Sequence, residues 1–225
     1  MTLSTSKIKI GLVHATMNSV QPILEAFKQK APEVKVLNFM DEGLIDELNR
    51  TGNVSDEMVA QLVSLMKRAE NSGVDGILLT CSSFSPYVEG VKSQFSIPVL
   101  SADIAMLEHA ISISDRIGVI ATVGAAGPTT TKLLKEISDK QNKKVDINTH
   151  MLTEAFTALQ KGDTDKHNQL IRDKISELSK TSDVIILAQM SMCRALKGWD
   201  ESPKPVLTSP DIAINKILCE ISERD

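Results

Sequence analysis

The chain repeats itself once, and that duplication limits the folds open to it more than any other feature. Asp75 to Phe84 reads DGILLTCSSF and Asp183 to Met192 reads DVIILAQMSM, so Cys81 corresponds to Gln189, a shift of 189 − 81 = 108 residues. Pro98 to Leu100 (PVL) returns as Pro205 to Leu207, and each copy is followed by a hydroxyl residue and an Asp-Ile-Ala triplet at Asp103 and Asp211. Ile10-Gly11-Leu12-Val13-His14 is echoed by Ile117-Gly118-Val119-Ile120-Ala121. A duplication inside 225 residues predicts two lobes of about 100 residues, each large enough to bury a core. The expected lobes are 1–102 plus 209–225 and 103–208, related by a pseudo-twofold, with the active site in a cleft between them.

Within each copy, short apolar runs alternate with stretches of helical periodicity, the pattern of an α/β fold whose parallel sheets are covered by helices. The expected strands are Ile8 to Val13, Val34 to Phe39, Gly76 to Leu79, Val99 to Leu100, Ile117 to Ala121, Val145 to Thr149, Val184 to Leu187 and Val206 to Leu207. Several are almost wholly apolar, as strands buried on both faces require. Helices are expected over Ser19 to Lys30, Ser55 to Ser72, Ser83 to Gln94, Ile104 to Ile113, Thr129 to Lys140 and Asp165 to Lys180, with a last helix after Asp211 returning to the first lobe. Ser55, Asp103 and Asp211 are the expected N-caps.

Composition excludes several classes. A formal net charge of −4, with 3% aromatic residues and no dense Lys/Arg stripe, argues against a nucleic-acid partner and against an anionic membrane surface. No apolar run approaches the ~20 residues that span a bilayer, and Met1 to Lys9 lacks the apolar core of a secretory signal, so a cytoplasmic protein is expected. Three cysteines (81, 193 and 219) without metal-type spacing predict free thiols, with neither a disulfide framework nor a metal site. The glycine-containing turn Val123 to Lys132 lacks G-x-x-x-x-G-K-[ST], and G-x-G-x-x-G is absent after the first strand, so a nucleotide cofactor is not expected.

Ligands of open parallel sheets collect beyond the C-terminal strand ends, and the unusual residues fall there. Cys81 sits where an apolar strand gives way to Ser82, Ser83 and a helix start, a place that favours thiolate over a merely buried thiol. Thr16, Ser82, Ser83, Thr122 and Ser191 offer hydroxyls suited to a carboxylate, although each also fits a structural cap. His14, at the end of the first strand, is a candidate to orient a carboxylate or to move a proton. Gln189 is a candidate ligand group or a bridge between backbone groups, and it cannot ionise near neutral pH. Asp41 and Glu42 read as a solvated helix start. Cys193, four residues beyond Gln189, would lie one helical turn away on the same face.

The twofold repeat together with LLTCSSF at Leu78 to Phe84, IGVIAT at Ile117 to Thr122 and LAQMSM at Leu187 to Met192 resembles the aspartate/glutamate/hydantoin racemase superfamily across nearly the whole chain. The resemblance implies two α/β lobes, no pyridoxal phosphate or metal, and commonly one cysteine from each lobe. Cys81 matches the first of these; the second falls on Gln189, and the acidic residue often found after the first strand falls on His14. The implied function is a cofactor-independent racemase or isomerase of a small carboxylate or amino acid, with homo-oligomers common. The single thiol keeps other outcomes open: a lyase or decarboxylase, a maleate-type cis-trans isomerase, or a non-catalytic protein that binds small acids.

Overall fold

The computed structural model describes residues 8–124 and 126–224. The leader reading of Met1 to Lys9 therefore falls mostly on residues outside those described. The chain forms two compact units, residues 1–102 with 213–225, and residues 103–212.

The first unit contains β1 (Lys9–His14), α1 (Val20–Lys30), β2 (Lys35–Met40), α2 (Gly43–Thr51), α3 (Asp56–Asn71), β3 (Gly76–Leu79), α4 (Ser85–Val91) and β4 (Val99–Ser101). Its four strands are parallel in the order β2-β1-β3-β4. The second unit runs through α5 (Ala102–Ile113), β5 (Arg116–Ala121), α6 (Ala126–Lys140), β6 (Asp146–Met151), α7 (Thr153–Gln160), α8 (Thr164–Leu178), β7 (Val184–Leu187) and β8 (Val206–Leu207), with parallel order β6-β5-β7-β8. The last helix, α9 (Ser209–Ser222), continues into the first unit from residue 213. The two α/β sheets thus repeat one topology, and the register repeats with it: Ile10 pairs with Gly76 in one and Ile117 with Val184 in the other.

Every residue of the central strands β3 and β7 is buried, as expected when helices cover both faces of a parallel sheet. Each fully buried Ile or Leu contributes roughly 1.5–3 kcal/mol relative to exposure. One face of the first sheet packs on α3 through Leu62, Leu65, Met66 and Ala69. That helix starts where Ser55 Oγ accepts from Met58 N at 3.3 Å. On β3, Gly76 admits α9: an added Cβ would stand 3.1 Å from the Ile217 and Ile221 tips. Its counterpart, Val184, packs with Met106, Leu107, Ala110 and Ile111 of α5.

Several local expectations need correction. The segment Ser83 to Gln94 is not one helix but a 3-10 turn (Ser82–Phe84), α4 with Pro86 in its first turn, and a second 3-10 turn (Lys92–Gln94). Proline has no N–H to continue a helix that began upstream of it. Helix α2 starts where Asp41 and Glu42 were read as a helix start, although its extent was not expected, and α7 was not expected at all; they are nine and eight residues long, too short to carry a clear stripe in sequence. Asp103 and Asp211 lie inside the first turns of α5 and α9 instead of capping them, where a carboxylate still meets unpaired N–H groups. Helix α6 begins at Ala126, earlier than Thr129, so Gly127 and Pro128 form its first turn. Among the described residues, no helix is long and apolar enough to cross a membrane.

Candidate active site

In the first unit, the ladder runs one residue past β3, because Thr80 N donates to Val13 O at 3.0 Å. The side chains of Thr80 and His14 leave neighbouring strands on the same face and meet, with Thr80 Oγ1 2.7 Å from His14 Nδ1 and 3.1 Å from Ser19 Oγ. On the other side of the ring, His14 Nε2 lies 3.0 Å from Asn38 Oδ1. A carboxamide oxygen only accepts, so Nε2 carries the ring proton and Nδ1 accepts from the Thr80 hydroxyl. Ser19 in turn donates to Thr16 O at 2.9 Å, and the network closes. His14 is 0% exposed, and this burial pushes its pKa below the ordinary 6.5, opposed by the hydrogen bond to Asn38. Thr16 itself caps the following 3-10 turn, its hydroxyl accepting from Asn18 N at 3.3 Å.

Cys81 continues the extended backbone (φ −117°, ψ 113°), so its side chain alternates to the face opposite Thr80. There it joins Val13, Leu79 and Phe84 in the core of the first unit, with 5% of its surface exposed. Its carbonyl oxygen accepts from Phe84 N at 3.2 Å and from Ser85 Oγ at 3.3 Å. Ser101, at the end of β4, donates to Ser85 Oγ at 2.7 Å. The backbone at Cys81 is therefore fixed from β1, from the turn that follows it, and indirectly from β4. Ser82 and Ser83 are half-buried, and among the described residues their hydroxyls have no hydrogen-bond partner.

In the second unit the same strand ends carry different side chains. Ala121 stands where His14 does, and Ala188, whose N donates to Ile120 O at 2.9 Å, stands where Thr80 does. Gln189 follows, and its Oε1 accepts from Thr122 N at 2.9 Å and from Thr122 Oγ1 at 3.2 Å. Since a backbone N–H can only donate, the amide oxygen must face Thr122, which leaves Nε2 buried and without a partner among the described residues. Thr122 is buried and directs its hydroxyl at Gln189. Ser191 is half-buried, with a hydroxyl that has no partner among the described residues. Cys193 lies in a 3-10 helix (Met190–Leu196) and not in an α-helix, so the one-turn alignment with Gln189 does not hold. Its thiol donates to Met190 O at 2.7 Å, and burial pushes its pKa up to about 11. Cys219 is exposed on α9, and its neighbour Glu223 raises its pKa.

Comparison with known proteins agrees with this layout. The model of the Asp/Glu/hydantoin racemase family matches residues 10–217. The chain belongs to the Asp/Glu/hydantoin racemase family. A glutamate racemase from Trichodesmium erythraeum is 28% identical over 127 residues, which are 56% of this chain but only 46% of that relative's length. Among solved structures, an aspartate racemase homologue from Pyrococcus horikoshii superposes with a TM-score of 0.74 at 17% identity, covering 95% of this chain and 99% of that one. An allantoin racemase from Klebsiella pneumoniae gives 0.68 at 15% identity, covering 96% and 89%. At these identities the structures establish the shared fold.

The structure of this racemase-family member gathers His14, Thr16 and, through the chain, Cys81, Ser82 and Ser83 at the strand ends of the first unit. It gathers Thr122, Gln189 and Ser191 at those of the second. Thr80, Ser19 and Asn38 were missed as members of the first set. A signal for one of them was present: aligning the repeats puts Thr80 and His14 opposite two alanines. Among the described residues no cluster of His, Cys, Asp and Glu could hold a metal ion.

Proposed function

We propose that this protein is a cofactor-independent isomerase of a small carboxylate or amino acid, with Cys81 as the thiolate base or nucleophile. The observation that carries it is the setting of Cys81: a family-matched cysteine just past the central strand, backbone fixed on three sides, followed by two serines whose hydroxyls have no other partner. Hydroxyls in that state suit the oxygens of a carboxylate. Ser191 and Thr16 are candidates for further contacts to the substrate.

The second unit's chemistry favours a one-thiol reaction within this class. A two-base racemisation needs one group to remove the α-proton and another to deliver a proton from the opposite face. Gln189 has no ionisable proton, its oxygen is committed to Thr122, and the Cys193 thiol is held protonated by burial. A thiolate that adds to a carbon–carbon double bond, allows rotation about the resulting single bond and is then expelled needs only Cys81. So does a lyase or decarboxylase in which one thiol protonates a planar intermediate.

The test is a panel of aspartate, glutamate, a hydantoin, maleate and a substituted malonate, followed by proton NMR in deuterated water. Exchange at an α-carbon, cis-trans isomerisation or loss of carbon dioxide identifies the reaction, and Cys81→Ala should abolish it while leaving the circular dichroism spectrum intact. A non-catalytic small-acid binder is the outcome if no member reacts and Cys81 alkylates no faster than Cys193.

A further inference from the structure

The repeat supplies an internal control for how a strand-end side chain is held. In the second unit Gln189 is clamped by its own side chain, which reaches back to two donors on Thr122. A cysteine side chain is two bonds shorter, and sulfur is a weak acceptor, so Cys81 cannot reproduce that clamp. In the first unit a clamp is found one residue earlier. Thr80 Oγ1 is surrounded by His14 Nδ1 at 2.7 Å, Ser19 Oγ at 3.1 Å and Val13 O at 3.2 Å. Ala188 and Ala121, the counterparts of Thr80 and His14, have no side-chain polar atom with which to form such a set.

Because Thr80 and Cys81 share a peptide bond and point to opposite faces of an extended segment, holding Thr80 in place constrains the Cys81 backbone and with it the direction of the Cα–Cβ bond on which the sulfur is carried. We propose that Thr80, held by its hydrogen bond to the buried His14 behind the strand end, is a positioning residue for Cys81. It touches neither substrate nor the reacting atoms and acts only through the 80–81 peptide. The inference rests on Cys81 being the reactive group.

Two measurements on the full chain separate the inference from that assignment. With Cβ-labelled cysteine, the Hα–Hβ couplings of Cys81 report its χ1 directly, whatever its reactivity. Native protein and Thr80→Ser should show a single rotamer, and Thr80→Val, equal in shape but without the hydroxyl, should show averaged couplings, while those of Cys193 stay unchanged in all three. Averaged couplings in the native protein, or unchanged couplings in Thr80→Val, would overturn the positioning role. A simultaneous change at Cys193 would mark general loosening and overturn it equally. Separately, iodoacetamide labelling followed by mass spectrometry should find native Cys81 at least about tenfold faster than Cys193. Thr80→Val should lose most of that advantage, and Thr80→Ser should stay within about twofold of native. Slow native labelling with a fixed rotamer would sink the assignment of Cys81 and leave the positioning result standing.

Discussion

The two units share strand order, register and the turn after the central strand, yet differ where chemistry is expected. Phe84 N donates to Cys81 O at 3.2 Å and Met192 N to Gln189 O at 3.0 Å, so the backbone turns the same way twice. Behind that turn, the first unit buries His14, Thr80 and Ser19, with the exposed Asn38 bonded to the far side of the His14 ring, whereas the second has alanines. After it, the first unit has a cysteine packed into the core and two half-buried serines whose hydroxyls have no hydrogen-bond partner among the described residues, and the second has an amide already bonded to Thr122. A duplicated backbone therefore supplies two equivalent positions, and the side chains around each decide which polar groups are already bonded there.

The largest contrast should appear in activity. Once a substrate is found, Cys81→Ala should lower kcat by about 10³-fold or more, the scale of a lost general base, whereas Cys193→Ala should leave kcat within about twofold. Comparable losses for both would mean that the second unit also contributes a thiol.

The covering helices offer the next test. Gly76→Val should overpack against Ile217 and Ile221 and cost about 1–3 kcal/mol. The matching change in the second unit, Val184→Ala, should cost about 2 kcal/mol by opening a void beneath α5. Urea unfolding monitored by circular dichroism measures both; a neutral Gly76→Val would show that α9 yields readily at β3.

Removing the Thr122 hydroxyl should matter less. Thr122→Val leaves the backbone N–H still donating to Gln189, so a loss of about 0.5–1.5 kcal/mol is expected in the same assay.

The smallest effect concerns pH. His14 is depressed below 6.5 in the folded protein by burial, so just below pH 6.5 the unfolded chain binds more protons than the native one. Its contribution is fully present above about pH 6.5 and is lost as pH falls through the folded value. His14→Gln should therefore show a shallower fall of the urea midpoint on the acid side than native protein. Some acid sensitivity should persist, because His167 in the second unit is also buried, donates its Nδ1–H to Ala155 O at 2.9 Å, and is likewise depressed. An unchanged acid limb in His14→Gln would show that His14 is not held neutral in the fold.

Much of the fold was legible because it rests on local, repeated signals. Runs such as GILL and VIIL are too apolar for anything but strands buried on both faces, and Ser55 announces α3 three residues before Met58. The break in Ser83 to Gln94 was also written there, in Pro86. Helix α7 was less readable, since its eight residues bury only Ala155 and Ala158. At the site, sequence located Cys81 and its serines by their position after a strand, but the partners of His14 come from Ser19, Asn38 and Thr80, up to 66 residues away.

What sequence alone determined is the duplication, the parallel strands and the place of Cys81 just past a buried strand, because each is encoded by neighbours along the chain. Tertiary structure decided which polar groups are already partnered: Thr80 with His14, Thr122 with Gln189, Cys193 with Met190. Hydrogen bonds are short-ranged and directional, so whether a hydroxyl remains available depends on distances of a few tenths of an ångström set by the packing of strands far apart in sequence.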